Sequence, residues 1–190
     1  MAGEKRTNHG RIWQRWKRGS VVLMLVILLP RLALAVPDPE LAAAIAQLPE
    51  QDLLVYRDAD SQHQVTVFTD VNCPYSRSLH WQLEDYLIHG IAVRYAAFPN
   101  LGNALTQMHR VWCSVDRQAA MTSAMRGEAL TVTDCLSEAV NAHQTLAHRF
   151  RLNATPAIVT PAGQILYGHI PAARLLEVLE LDSDMGDQIQ

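Results

Sequence analysis

Cys73-Pro74-Tyr75-Ser76 is the stretch whose residue types could do chemistry. A cysteine just ahead of a first-turn proline sits at the mouth of a helix. Its sulfur then lies beside unpaired backbone N–H groups and the positive end of the helix dipole. Such a position favours thiolate over thiol, and the reaction open to a thiolate is attack on a disulfide sulfur. A dithiol site of this spacing would carry its second cysteine at position 76, where this chain has Ser76. A serine hydroxyl stays protonated at neutral pH and cannot displace a mixed disulfide; at most it hydrogen-bonds the thiolate. A cysteine met in isolation is more often a small buried hydrophobe. The strand before Cys73 and the proline after it shift the reading to a reactive thiol.

Few other residues compete. Thr155-Pro156 lies between an apolar helix and a strand, where a proline usually marks a boundary. It also precedes a hairpin and a final helix, where a cis proline would lie beside a redox cysteine. Cis is a minority state that sequence alone does not license. His109 and Cys113 stand four apart on a helical pattern, half of a metal site with no second pair to complete it, so neither metal nor cofactor is expected. No Ser/His/Asp order or glycine-rich phosphate loop stands out. The three cysteines are Cys73, Cys113 and Cys135. An oxidising compartment permits one disulfide and leaves one thiol over, and spacing does not decide which two pair. Burial and helix-mouth chemistry make Cys73 the natural odd one.

The positioning elements follow from periodicity. Val65 to Thr69 alternates and is β-branched, a strand, and Leu53 to Arg57 reads as another. Leu79, Leu83, Tyr86 and Leu87 recur at helical spacing up to His89, with Gly90 closing the helix. Ile91 to Phe98 is a second core strand, ended by Pro99. Leu101 to Phe150 is helical, with breaks at Gly127 and at Thr131 to Asp134, where Asp134 could cap the next helix. Strands follow at Ala157 to Thr160 and Gln164 to Tyr167. A helix from Pro171 to Leu181 and a polar tail at 183–190 complete an α/β domain.

The first 35 residues read as a signal peptide: a basic leader, an apolar run from Val21 to Leu29, and Ala33-Leu34-Ala35 as a small-x-small cleavage site. The alternative is an uncleaved anchor, although Arg31 interrupts the run well short of the ~20 apolar residues a span needs. Residues 36–52 form a linker with a short helix opened by Asp38-Pro39. Seven of the 16 basic residues and one of the 19 acidic ones lie in 1–35, so the remainder has nine arginines, no lysine and a net charge of −9. That excludes the clustered basic surface of a nucleic-acid binder.

The stretch VTVFTDVNCPYSRSLH from Val65 to His80 resembles the active-site segment of the periplasmic disulfide isomerases DsbC and DsbG. Val93 to Pro99 does so too. Val111-Trp112-Cys113 and Asp134-Cys135 are similar to that family's structural cysteine pair, and Asn153-Ala154-Thr155-Pro156-Ala157 to its cis-proline loop. The resemblance runs from about Leu53 to Leu181, with the motifs in order. It implies a thioredoxin fold with a helical insertion over 53–182, Cys73 as the redox cysteine, and a Cys113–Cys135 disulfide. That bridge would be worth about 3–3.5 kcal/mol on the chain-entropy relation. It also implies a peptide-binding surface of Pro74, Tyr75, Thr155 and Pro156. The family's site is Cys-x-x-Cys, and its N-terminal dimerisation domain has no room within 36–52, which leaves the oligomeric state open.

The expected function is that of an exported, periplasmic monothiol protein that forms mixed disulfides with cysteine-containing clients and isomerises their bonds, with Ser76 tuning the thiolate. If the leader is kept, the domain is anchored to the inner membrane and faces the periplasm. A membrane thiol reductase is the expected redox partner. The alternative is a redox-silent thioredoxin-fold chaperone or an assembly subunit of an envelope secretion or conjugation system.

Overall fold

The fold is seen in a computed structural model that describes residues 37–131 and 135–187. Its centre is a five-stranded sheet built from β1 (Leu54–Tyr56), β2 (His63–Thr69), β3 (Ile91–Ala97), β4 (Ala157–Val159) and β5 (Ile165–Tyr167). The spatial order is β1-β3-β2-β4-β5. β2 and β3 run parallel, and the other pairings are antiparallel. β2 is buried continuously from Val65 to Thr69, as a central strand covered on both faces must be.

The strand pleat divides the core. Val65 and Val67 of β2 join Ile91, Val93 and Tyr95 of β3 in the larger cluster. There they meet α2 (Pro74–His80) through Leu79, α3 (Leu83–Ile88) through Tyr86, and α7 (Ala172–Asp187) through Leu175 and Leu179. α4 (Ala104–Cys113) and α5 (Arg117–Met125) complete it with Met108 and Met121. Phe68 and Ala96 point the other way, into a second cluster. That cluster takes Leu41 and Ile45 of α1 (Pro39–Ala46) and Ala147 of α6 (Glu138–Arg149).

Residues 36–52 are therefore more than a linker over their described part. Asp38 caps α1, its carboxylate accepting from the Glu40 and Leu41 N–H groups at 3.0 and 3.1 Å. Burying Leu41 and Ile45 stabilises the domain by about 1.5–3 kcal/mol per side chain. The start of α1 lies directly on the β4–β5 turn, where the Asp38 N–H reaches Gly163 O at 3.3 Å. A Cβ at position 163 would fall 1.9 Å from Asp38 O, and its φ is +83°, so only glycine fits.

Other boundaries differ from the sequence reading. The single helix expected up to His89 is two, α2 and α3, separated at Trp81-Gln82. Leu79, Leu83 and Tyr86 all pack on the same core, so the apolar spacing passes unbroken across the joint. The helical block has a further break at Ser114–Asp116, where Asp116 caps α5 by accepting from the Ala119 N–H at 2.9 Å. Asp134 lies outside the described residues; α6 begins at Glu138, with Ser137 in the cap position. α7 runs on to Asp187, past Leu181, so the first part of the polar tail is helical. The leader, residues 1–35, also lies outside the described residues. Among those described, no helix is long and apolar enough to cross a membrane.

Candidate active site

β2 ends at Thr69, and a tight turn delivers Cys73 to the N-cap of α2, with Pro74 in the first turn. The Cys73 N–H donates to Asp70 O at 3.0 Å, and Cys73 O accepts from the Arg77 N–H at 3.0 Å. Arg77 reaches back, its Nε donating to Val71 O at 2.8 Å. The thiol is free and 5% exposed. It faces the segment before β4: Sγ lies 3.0 Å from Thr155 O, to which the thiol donates, and the Thr155–Pro156 peptide is cis. Strand register explains the meeting. Phe68 pairs with Ala157, which brings Pro156 level with Thr69 at the mouth of the turn. Gly168 then fixes the loop, its N–H donating to Pro156 O at 2.8 Å.

Cys73 and Thr155 share a cleft of about 290 Å³ with Phe98, Asn100, Leu101 and His148. Pro74 and Tyr75 lie exposed beside the cysteine. Ser76 is buried, and its hydroxyl accepts from the Asp70 N–H at 3.4 Å. It makes no hydrogen bond to Cys73 Sγ, so the expected tuning contact is replaced by one to the turn.

Asp70 is the residue that sequence reasoning missed. It is fully buried, and its carboxylate accepts three backbone N–H groups: Asn72 at 2.7 Å, Asn100 at 2.6 Å and Leu101 at 2.8 Å. Asn72 adds a tie in the same direction, its Nδ2 donating to Leu101 O at 2.9 Å and Asn103 Oδ1 at 3.1 Å. The sequence signal was an aspartate two residues before an asparagine at a strand end, the pattern of a side-chain-closed turn. The partners some thirty residues away carry no such signal.

Residues 50–181 match the model of a family described as thioredoxin-like domain. This chain belongs to the thioredoxin-like family. Its thioredoxin-like domain is 35% identical over 134 residues to the thiol:disulfide interchange protein DsbC of Dickeya dadantii, covering 69% of this chain and 56% of that protein. It is 34% identical over 134 residues to DsbC of Escherichia coli K12, with the same coverage. The chain thus spans little more than half the length of these relatives. Among solved structures, a disulfide interchange protein from Neisseria gonorrhoeae superposes with a TM-score of 0.62 at 24% identity, covering 71% of this chain and 98% of that one.

In this thioredoxin-like domain the helical insertion between β3 and β4 carries the remaining two cysteines. Cys113, at the end of α4, is disulfide-bonded to Cys135, with Cα atoms 6.5 Å apart. His109 is committed there too: its Nδ1 accepts the Ser137 N–H at 3.0 Å. Two further histidines are buried in the domain. His143 of α6 accepts the Ala97 N–H on Nδ1 at 3.2 Å, while its Nε2 is buried with no partner. Burial lowers its pKa to about 4. His80, near the end of α2, pairs with Thr122 Oγ1 at 3.1 Å. Burial, helped by the Arg126 charge, lowers its pKa to about 4 as well.

Proposed function

We propose that this chain is an exported monothiol thiol:disulfide interchange protein whose Cys73 captures client disulfides. The observation that carries the reading is the free Cys73 thiol 3.0 Å from Thr155 O, beside a cis-proline loop. Attack by the Cys73 thiolate on a client disulfide forms a Cys73–client bond and expels one client sulfur, which takes up a proton. No electrons are lost or gained in this step. The freed client thiol can then attack another client sulfur, and the new client disulfide expels Cys73 unchanged. Isomerisation of this kind needs no second active-site cysteine. Once Cys73 is engaged it no longer has a proton to donate, so Thr155 O is released to accept an N–H from the client backbone. Pro74 and Tyr75 border the entry, and the reductant that rescues stalled adducts is a membrane thiol reductase.

The relatives' names support interchange chemistry, and Ser76 supports long-lived capture, since an internal thiol would attack at an effective concentration far above any external one. Incubation with a scrambled-disulfide protein should give a covalent adduct that reductant releases and that Cys73→Ala abolishes. Absence of an adduct at every pH would end the proposal. The rival, a redox-silent peptide-binding subunit, draws on the near-complete burial of Cys73. Equal rescue of a deletion strain by wild type and Cys73→Ala would favour it.

A further inference from the structure

The segment after β3 has left the sheet, yet it is held as firmly as a strand. Its Phe98 N–H donates to Thr69 O at 2.8 Å, and beyond that point the Asn100 and Leu101 N–H groups both end on Asp70. A fully buried carboxylate is costly unless its lone pairs are filled, and here backbone donors fill them. No ion pair to Asp70 occurs among the described residues. The other atoms of Asp70 look inward to the Cys73 turn: its N–H to Ser76 Oγ, its carbonyl to the Cys73 N–H. Asn72 repeats the link from the adjacent position. Gly102, with φ +55°, lets the far loop curl under this tie; a Cβ there would approach Asn72 Nδ2 to 3.5 Å. The effect is to hold Leu101, a large apolar side chain 44% exposed, at the rim of the Cys73 cleft.

We infer that Asp70 and Asn72 are positioning residues that lock the 100–103 wall to the Cys73 turn, so that Leu101 is presented to an apolar side chain flanking the client cysteine. The inference rests on the proposed capture of client disulfides. The two residues act on client binding and make no hydrogen bond to the sulfur, whose own partner is Thr155 O.

The test uses the full chain with Asn72→Ala and Asp70→Asn, and two probes. Iodoacetamide reads the sulfur alone. A short peptide disulfide with leucine beside its cysteine reads the wall, against the same peptide carrying serine there. Asn72→Ala should raise the half-saturating concentration of the leucine peptide about tenfold, with the limiting rate and the iodoacetamide rate within twofold of wild type. The serine peptide should bind both proteins at the weaker level. Asp70→Asn should shift the same constant further; if thermal unfolding shows that it has lost the fold, the partly exposed Asn72 carries the test alone. Equal falls in both probes, or an unchanged half-saturating concentration, overturn the inference. A wild-type protein that alkylates normally but never reacts with either peptide overturns the exchange reading, and this inference with it.

Discussion

His143 makes the stability of this fold depend on pH in a calculable way. The ring is fully buried, its Nδ1 takes the Ala97 N–H, and burial lowers its pKa from 6.5 to about 4. Protonating it in place would set one N–H against another. The folded state therefore keeps the ring neutral while the unfolded chain takes up a proton near pH 6.5. Stability is complete above that value, falls as the pH drops, and reaches its full loss at about pH 4. The shift amounts to about 3 kcal/mol at the acid limit and about 2 kcal/mol at pH 5. Asparagine is the informative replacement, because its oxygen can accept the Ala97 N–H and does not titrate. His143→Asn should cost about 1–3 kcal/mol at pH 7.5, where it loses ring packing against Trp112. The deficit should then shrink by about 2 kcal/mol on going to pH 5, since only the wild type takes up the proton on unfolding. Urea unfolding at half-unit intervals of pH measures it. His80 titrates identically in both proteins and cancels. Parallel curves across the range would refute the argument.

Two further outcomes follow from the cysteines. Ser76→Cys should shorten the lifetime of client adducts at least a hundredfold in gel-based trapping, because a second thiol would resolve them internally. An unchanged lifetime would mean that position 76 cannot reach the mixed disulfide. Removing the bridge by Cys113→Ala with Cys135→Ala should cost about 3 kcal/mol in urea unfolding, the entropy of a freed loop with a sequence separation of 22. Adduct formation by Cys73 should persist, since the bridge lies in the insertion.

The sequence was legible where a residue acts on its neighbours. Pro74 at the first turn and the β-branched run before Thr69 announce the strand-turn-helix that carries Cys73, and the order of the motifs points to the thioredoxin fold. It was opaque where a residue acts across the chain. Asp70 reads as an ordinary turn aspartate until Asn100 and Leu101 are folded onto it. His143 reads as one more scattered histidine, although it takes the Ala97 N–H on the edge of β3 beyond the reach of β1, whose pairing stops at Tyr95. The break at Trp81-Gln82 is hidden because both helices bury the same side. The cis Thr155–Pro156 bond was legible only through the resemblance of its loop, since an X-Pro pair taken alone favours trans.

Homology and folding draw different borders around this domain. The matched family span opens at residue 50, whereas the apolar interior already begins at Leu41, pinned by the Asp38–Gly163 contact. A fragment trimmed to the family limits would strip two plugs from one side of the sheet and bare Phe68 and Val159 to water. Recombinant work on this domain should start no later than Pro37, or it will mistake a self-inflicted wound for intrinsic fragility.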